Sequence, residues 1–284
     1  MTTVIAYHKS CPDGFSSAWV LLQGYPDARL HPASYGDPLP DDIDGADLYV
    51  VDFCYEPHQL YEIMDRASTC TILDHHHTAA GWLEQSDFLV FGSVAEYADS
   101  PIEVGTAFIA VMDQKHSGVG IAMQWTNSHW SVFDRIEDRD LWRFALRDTK
   151  DVFAAVTSRP YTVEAWDGIV ATPLADLVTE GRAISRYRDK LIEDTLETAF
   201  RAVIPTGHEV WCVASPYAIG SDVAGILAGR SDEGWAAYFV PGAGKVRFGL
   251  RARSDGPDVA EIAAICGGGG HKQASGFEVK GWVW

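Results

Sequence analysis

The sequence predicts an α/β protein with two domains, and three features indicate this class. In the first half, short apolar segments of β-type alternate with amphipathic segments, as in a parallel sheet flanked by helices. A long charged segment with apolar residues at helical spacing follows, and further strand and helix patterns come after it. With 284 residues, 47% of them hydrophobic, the chain can bury more than one core.

The first half contains strand patterns separated by helix patterns. Strands are predicted for TVIAYH at 3–8, ADLYVVDF at 46–53 and CTILDHH at 70–76, with FLVFGSV at 88–94 as a further strand or edge segment. Helices are predicted for GFSSAWVLLQ at 14–23 and for EPHQLYEIMDRA between the second and third strands. From about 104 to 160 the pattern is mostly helical.

The second half predicts a smaller α/β domain behind one long helix. Segments typical of strands are EVWCVASP, WAAYFVPG, KVRFGLRAR and GFEVKGWVW, and segments typical of helices are SDVAGILAG and DVAEIAAIC. Ser221 and Asp222 are expected to cap the first of these helices. The predicted domains are residues 1–172 and 205–284, and a helical connector at 173–204 joins them.

Charge and cysteine content argue against several classes of protein. A net charge of −18 disfavours a basic surface that tracks long duplex nucleic acid. Five cysteines without paired spacing indicate neither a disulfide framework nor a zinc ribbon. The chain lacks a basic start followed by a long apolar run, and no stretch approaches eighteen apolar residues. We therefore expect a soluble, cytoplasmic protein without a membrane partner.

Polar residues follow three predicted strands at the point where each strand ends. Carboxyl ends of parallel strands meet at one edge of a sheet, so we expect these side chains to converge. The candidate metal ligands are His8, Asp13, Asp52, Asp74, His75, His76 and either Asp138 or Asp140. Taken singly, an Asp at a strand end often caps the next helix, and a lone His is often an ordinary core or surface residue. As a set, these oxygen and imidazole ligands suit Mn²⁺, Mg²⁺ or Fe²⁺.

Four glycines, Gly267 to Gly270, stand between a predicted helix and His271. Consecutive glycines let backbone N–H groups approach an anion, although a single glycine would suffice to end the helix. A phosphate or a terminal nucleotide is therefore a candidate ligand of this segment. Trp142 is expected to pack in the core rather than to stack on a base.

Six motifs occur in the order found in one known family: HKSCPDGFSSA, VVDF, LDHHHTA, IEDRDLW, LRARSDGPDVAEIA and GGGGHKQASGF. The chain resembles the DHH phosphoesterase family, in the branch with the DHH-associated C-terminal domain. The resemblance implies an N-terminal parallel-sheet DHH domain that binds two manganese ions, or other divalent ions such as Mg²⁺, and a C-terminal domain that binds substrate. It implies a phosphodiesterase that hydrolyses short single-stranded oligonucleotides or dinucleotides to mononucleotides. A cyclic-dinucleotide phosphodiesterase and a nucleotide 3′,5′-bisphosphate phosphatase are alternatives within the family.

Residue roles follow from the same resemblance. It implies one ion bound by Asp13, Asp52, His75 and Asp138, and a second ion bound by His8 and Asp52. Asp74 would bind metal or orient His75, and His76 would contact the scissile phosphate or the leaving oxygen. Asp140 is expected to support or cap the site. The substrate phosphate would be bound by Arg251, Arg253, Gly268, Gly269, Gly270 and His271.

One residue departs from the family pattern. Many members carry Asp-x-Asp in the first motif, where this chain has Cys11, Pro12 and Asp13. A thiol is a poor manganese ligand, so the second ion would bind more weakly, unless Cys11 is only a small buried residue. The substitution motivates a rival from another class, a catalytically silent nucleotide-binding protein. The expected partners are a short oligonucleotide or dinucleotide and, if the chain self-associates, a second copy in a homodimer.

Overall fold

The structure is a computed structural model that describes residues 2–100 and 107–281. The chain divides into two compact units, Met1–Ser185 and Arg186–Trp284. The strands are β1 Thr3–His8, β2 Arg29–Ala33, β3 Asp47–Val51, β4 Thr69–Asp74, β5 Leu89–Phe91, β6 Phe108–Met112, β7 Phe200–Val203, β8 Glu209–Ala214, β9 Trp235–Gly242, β10 Lys245–Ala252, β11 Gly269–His271 and β12 Ala274–Lys280.

The helices of the described residues differ widely in length. They are α1 Pro12–Leu22, α2 Pro57–Arg66, α3 His77–Leu83, α4 Val94–Ala98, α5 Gly118–Trp125, α6 Ser131–Asp140, α7 Thr149–Thr157, α8 Val163–Ala171, α9 Leu174–Leu196, α10 Tyr217–Arg230 and α11 Val259–Ala264. The boundary between the two units falls within α9. Along the described part of the chain, no helix combines the length and the apolar character needed to cross a membrane.

The first unit is built on a six-stranded sheet in the order β2-β1-β3-β4-β6-β5, with every neighbouring pair parallel. Alternate residues of β1 face opposite sides, because Ile5 belongs to one core and Val4 and Ala6 belong to another. Helices α1, α5 and α6 contribute to the first core, and α2 contributes Leu60 to the second. Both faces of the sheet are therefore covered, which explains the continuous apolar runs in its strands.

The second unit contains a mixed six-stranded sheet in the order β11-β12-β10-β9-β8-β7. Strands β8 and β9 pair in parallel, and the other neighbouring pairs are antiparallel. Helix α10 covers one side through residues such as Val223, and α11 covers the other through Val259. The unit therefore has cores of its own, as expected for a separate α/β domain.

The predicted fold class is confirmed: an α/β chain with a parallel first sheet and a second, smaller α/β unit. The strands predicted at 3–8, 46–53 and 70–76 are present as β1, β3 and β4, and the segment predicted as a possible edge forms the edge strand β5. The last predicted strand is present as β12, and its residues 282–284 lie outside the described part.

Two predictions about the middle of the chain are wrong. The range from about 104 to 160 was expected to be mostly helical, and α5, α6 and α7 lie there, but its beginning differs: Phe108–Met112 forms β6, which lies between β4 and β5, while residues 104–106 lie outside the described part. Five consecutive apolar residues fit either a buried strand or a buried helix, so periodicity does not separate them. The long helix expected to reach residue 204 ends at Leu196, and Phe200–Val203 forms β7. No glycine or proline between 196 and 200 marks this stop.

Candidate metal centre

The candidate residues stand where neighbouring parallel strands end. His8 is the last residue of β1, Asp52 follows β3, and Asp74 is the last residue of β4. The chain passes from β1 to β2 on one side of β1 and then returns to β3 on the other side. This reversal of strand order opens a crevice at the carboxyl ends of β1 and β3, which is where open α/β sheets bind ligands.

Asp52 lies at the centre of the site and has an unusual backbone conformation. Its φ of 62° is in the left-handed region, which costs a residue other than glycine about 1 kcal/mol or more. The turn is held by a hydrogen bond of 3.0 Å from the Asp52 N–H to the carbonyl of Leu73. Its buried carboxylate lies between two imidazoles, with Oδ1 3.2 Å from His75 Nε2 and Oδ2 3.4 Å from His8 Nδ1.

The stretch after β4 contributes three side chains with different contacts. Besides Asp52, His75 Nε2 lies 3.5 Å from Asp140 Oδ2 and 4.0 Å from Asp13 Oδ2. Asp74 Oδ1 accepts hydrogen bonds of 2.7 Å from the His75 N–H and 2.7 Å from His76 Nδ1. Asp74 therefore orients the two histidines that follow it.

Three groups of side chains among the described residues bring potential ligand atoms within 4.8 Å of one another. They are Asp13 with His75 and Asp140, His8 with Cys11 and Asp52, and Asp52 with Asp74, His75 and His76. Asp52 belongs to two groups and His75 to two, so the groups form one continuous cluster. We call these eight residues the metal cluster.

The carboxylates of the metal cluster repel one another; Asp13, Asp52 and Asp74 are buried, whereas Asp140 is exposed at the edge of the cluster. Desolvation and the charge of Asp52 raise the pKa of Asp140 to about 6, and burial with the charges of Asp52 and Asp140 raises the pKa of Asp13 well above its usual value. Burial also favours the neutral form of Asp52, but the imidazoles of His75 and His8 outweigh it and lower the pKa of that carboxyl. A cation would relieve this repulsion.

Several buried atoms of the cluster lack hydrogen-bond partners, which also indicates a place for a cation. Among the described residues, the buried atoms without a hydrogen-bond partner include His8 Nδ1, Asp52 Oδ2 and Asp74 Oδ2. His8 Nδ1 and Asp52 Oδ2 face each other at 3.4 Å, but they do not meet the geometry of a hydrogen bond. Such atoms are costly unless a ligand satisfies them. All are nitrogen or carboxylate oxygen atoms, which suit Mn²⁺ and Mg²⁺. The residues present therefore fit a divalent ion.

Asp13 is fixed by the start of α5. Its carboxylate accepts hydrogen bonds from Ser117 Oγ at 2.6 Å, from the Gly118 N–H at 2.6 Å and from the Val119 N–H at 3.1 Å. A Cβ at Gly118 would lie 2.7 Å from the Asp52 Cβ, so only glycine fits here. The sequence reasoning missed both Ser117 and Gly118, although the segment HSGVG before an apolar helix was the available signal.

Comparison with known proteins gives one distant sequence relative. No protein-family model matches the chain. An uncharacterized protein of Acanthamoeba polyphaga mimivirus is 22% identical over 305 aligned positions, which cover 98% of this chain and 68% of that protein.

Solved structures give a more informative match. The DHH domain of a protein described as a member of a family of ribosomal proteins matches with a TM-score of 0.55 and 13% identity, over 98% of this chain and 82% of that one. The chain has the DHH-domain fold. A pGpG-specific phosphodiesterase, PggH from Vibrio cholerae, matches with a TM-score of 0.51 and 11% identity, over 99% of this chain and 94% of that one. The resemblance inferred from the motifs is thereby confirmed for the fold.

The structure corrects the choice between the two acids of IEDRDLW in this DHH fold. Asp140 lies in the metal cluster, whereas Asp138 lies outside the three groups of the described residues. Asp138 is 4% exposed, and its carboxylate accepts hydrogen bonds from the Ala145 N–H at 2.9 Å, the Leu146 N–H at 3.1 Å and Thr149 Oγ1. These bonds brace the chain after α6. The contacts of Asp138 are therefore with the turn after α6, and Asp140 is the acid that approaches His75.

Cys11 faces the metal cluster instead of being only a small core residue. Its sulfur lies within 4.8 Å of potential ligand atoms of His8 and Asp52. Burial, followed by the charges of Asp52 and Asp140, raises the pKa of the Cys11 thiol well above its usual value. The side chain is therefore a neutral thiol in the protein without metal.

Tyr35, which the sequence reasoning did not single out, lies beside the cluster. Its ring centre is 6.0 Å from that of His8 and 6.2 Å from that of His76, and the residue is 40% exposed. It stands in the loop after β2, and an aromatic residue in a loop carries no sequence signal of its own.

The two candidate arginines of the second unit differ in their partners. Arg253 Nε donates to Asp255 Oδ1 at 3.0 Å, so a carboxylate already neutralises it. Arg251 donates to the Leu250 carbonyl at 2.7 Å and to Ser221 Oγ, and in the described chain it pairs with no carboxylate. The expectation that Ser221 caps a helix is wrong, because α10 begins at Tyr217. Ser221 instead holds Arg251 in place.

The glycines before His271 have structural tasks. Gly267 and Gly270 have φ values of 74° and 139°, which favour glycine, and a Cβ on Gly268 would lie 2.1 Å from the Gly276 carbonyl oxygen. The segment Gly269–His271 pairs with β12 as a short, exposed strand. The four glycines therefore end α11 and let β11 approach β12. These structural requirements account for part of the glycine run, so the run is weaker evidence for phosphate binding by its N–H groups.

Proposed function

We propose that this protein is a divalent-metal-dependent phosphoesterase that hydrolyses short single-stranded oligonucleotides or dinucleotides to mononucleotides, with Mn²⁺ as the preferred ion. One observation carries the proposal: His8 Nδ1, Asp52 Oδ2 and Asp74 Oδ2 are buried without hydrogen-bond partners at the carboxyl ends of three strands. Burying such atoms without partners is costly, and their chemistry suits a divalent cation.

The ligand set follows from the groups in the metal cluster. Asp13, Asp52, His75 and Asp140 would hold one ion, and His8 with Asp52 would hold a second, with Cys11 beside it. When bound, the ions would lower the pKa of a water molecule and neutralise charge on the phosphate. Asp52 is suited to both sites because its two oxygens contact different imidazoles.

Asp74 would position His76 as a proton donor. Asp74 accepts a hydrogen bond from His76 Nδ1 at 2.7 Å, which fixes the orientation of the imidazole. Burial lowers the pKa of His76, but the charge of Asp74 outweighs burial and raises that pKa, so the ring would carry a proton on each nitrogen. Nδ1–H would stay hydrogen-bonded to Asp74, and the Nε2 proton would pass to the departing ribose oxygen, leaving a neutral imidazole. In the second unit, Arg251 would bind a substrate phosphate through its planar fork, together with His271 and the Gly268–Gly270 segment.

Two considerations support a short substrate. The net charge of −18 disfavours a long basic groove, and Arg251 offers one compact cationic contact. A protein of the same fold, PggH, is described as specific for the dinucleotide pGpG. A catalytically silent nucleotide-binding protein is the rival, but it would have no need to gather four carboxylates and three imidazoles in one crevice.

The proposal is tested by incubating the purified protein with Mn²⁺ and labelled di- to pentanucleotides. Cyclic dinucleotides, adenosine 3′,5′-bisphosphate and a long duplex are included as alternative substrates. Asp74→Ala is expected to lower the rate by about a hundredfold, because His75 and His76 lose their orienting partner. Asp65→Ala, which removes an exposed acid on α2, serves as the matched control and should leave the rate unchanged.

The outcomes separate the alternatives. Release of mononucleotides from linear substrates supports the proposal, whereas cleavage restricted to the bisphosphate or to cyclic dinucleotides replaces it with another phosphoesterase activity. Absence of cleavage for the whole panel favours the silent binding protein. A rate that is the same in Asp74→Ala and Asp65→Ala would contradict the site assignment.

A further inference from the structure

Trp142 is exposed, contrary to the expectation that it packs in the core. It is 57% exposed and lies two residues after the end of α6. Phe133 on α6 and Val152 on α7 are, in contrast, fully buried. Both Trp142 and Phe144 have left-handed backbones, with φ values of 54° and 48°. Large side chains rarely adopt this conformation, and it persists only where the surrounding structure enforces it.

The enforcing element is the buried carboxylate of Asp138. It accepts the N–H groups of Ala145 and Leu146, and the Asp138 carbonyl accepts the Arg143 N–H at 2.9 Å. The turn at 141–146 is therefore tied at several points to the end of α6. This hydrogen-bonded turn holds the backbone of Trp142 in a conformation that leaves the indole exposed.

Two cationic side chains, those of Arg139 and Lys150, lie beside this aromatic surface. The Arg139 guanidinium carbon lies 4.1 Å from the centre of the Trp142 ring, and Phe144 contacts the indole with ring centres 5.1 Å apart. Lys150 Nζ lies 5.4 Å from the centre of the Phe144 ring. Arginine and lysine beside aromatic rings complement a ligand that has both a flat π-face and a negative charge. In a chain with a net charge of −18 such a cationic aromatic surface is distinctive.

Asp140 of the metal cluster and Trp142 are two residues apart in the chain, so their Cα atoms lie within about 7 Å of each other. We propose that Trp142, with Arg139 and Phe144, forms a stacking site for a nucleobase of the nucleotide whose phosphate lies at the metal cluster. This inference deepens the proposed function and rests on it. Trp142 would contact the nucleobase of the substrate and not its phosphate.

The test compares a dinucleotide with the same dinucleotide lacking one base, for each position in turn. Because the base would lose its stacking partner, Trp142→Leu is expected to raise KM for the intact dinucleotide about tenfold with little change in kcat. The abasic substrate for the stacked position should show the same KM in both proteins, and Trp142→Phe should recover most of the affinity. Tyr187→Leu, at an exposed aromatic residue of the second unit, is the matched control.

A second measurement does not require hydrolysis. A dinucleotide carrying 2-aminopurine is titrated with each protein in Ca²⁺, because stacking on Trp142 quenches its fluorescence. Quenching by the wild-type protein that is lost in Trp142→Leu supports the inference, even if no substrate is cleaved and the proposed function fails. Cleavage with equal KM in both proteins, or equal quenching, overturns the inference and leaves the phosphoesterase proposal intact. Failure of the wild-type protein to quench the probe overturns it as well.

Discussion

Two buried acids of the first unit, Asp52 and Asp138, show opposite ways of placing a carboxylate in a protein interior. Asp138 receives hydrogen bonds from two backbone N–H groups and a hydroxyl, and its pKa is lowered, by these bonds against the effect of burial. Asp52 Oδ2 has no hydrogen-bond partner among the described residues, and neighbouring acids crowd around it. Asp138 lies outside the metal cluster and its satisfied oxygens brace the chain, whereas the unsatisfied oxygen of Asp52 among other acids indicates a place for a cation. Asp13 combines both features, because the start of α5 holds its carboxylate and the cluster includes it.

The strongest way to break this comparison is to neutralise Asp52. Asp52→Asn keeps the shape of the side chain, and asparagine tolerates a left-handed backbone, so the fold should survive. Asp52 would contribute to both proposed ion sites. Removing its charge should lower metal-dependent turnover on the order of 10³-fold, which corresponds to several kcal/mol of transition-state stabilisation. Initial rates at saturating Mn²⁺ measure this effect.

Thermal unfolding provides the control for Asp52→Asn. A manganese ion held only by the folded state would raise the Tm of the wild-type protein, and this rise should largely disappear in the variant. A variant that keeps both the rise in Tm and the turnover would show that Asp52 does not hold the ion.

Asp138 and Asp140 sharpen the comparison, because they lie on the same helix but differ in burial and in partners: Asp138 is buried and Asp140 is exposed. Asp138→Asn should lower the free energy of unfolding by about 2 kcal/mol, since its amide faces donors that then lack an acceptor. Its manganese affinity should stay unchanged. Asp140→Asn should do the reverse: it weakens manganese binding and leaves the metal-free protein as stable as before, or more so, because a repelling charge is removed.

Denaturant unfolding without metal and manganese titration of both variants distinguish the two roles. Loss of manganese affinity in Asp138→Asn with normal stability would restore Asp138 as the ligand that the motif resemblance implied. The two acids would then have exchanged the roles that their contacts indicate.

The sequence predicted the place of the site better than its individual ligands. Apolar runs that end in His8, Asp52 and Asp74 predicted neighbouring parallel strands, and the parallel sheet indeed brings these residues to one edge. The choice between Asp138 and Asp140 depends on where α6 ends and how the next turn runs. That turn uses left-handed residues at Trp142 and Phe144, where no glycine or asparagine announces them. The exposure of Trp142 could not be predicted for the same reason.

The strand β6 illustrates a second limit. Its five apolar residues carry neither a period of two nor one of 3.6, and only their neighbours β4 and β5 make them a strand. Tertiary pairing decides such segments, and a single sequence does not display it. In the second unit, β8, β9, β10 and β12 match predicted strands, whereas β7 and the short β11 were not predicted.

The smallest expected effect concerns Cys11, the residue that departs from the family pattern. Its thiol lies among potential ligand atoms of His8 and Asp52 and is held neutral by the surrounding charges. Cys11→Asp adds a hard oxygen ligand at this point, so manganese affinity should rise roughly tenfold, in keeping with the dependence of affinity on ligand charge. The metal-free variant should unfold at a lower temperature than the wild type, since another carboxylate joins those already present. Cys11→Ser, which adds a polar but uncharged group, should produce neither change, and equal manganese affinity for the two variants would mean that position 11 does not contact the ion.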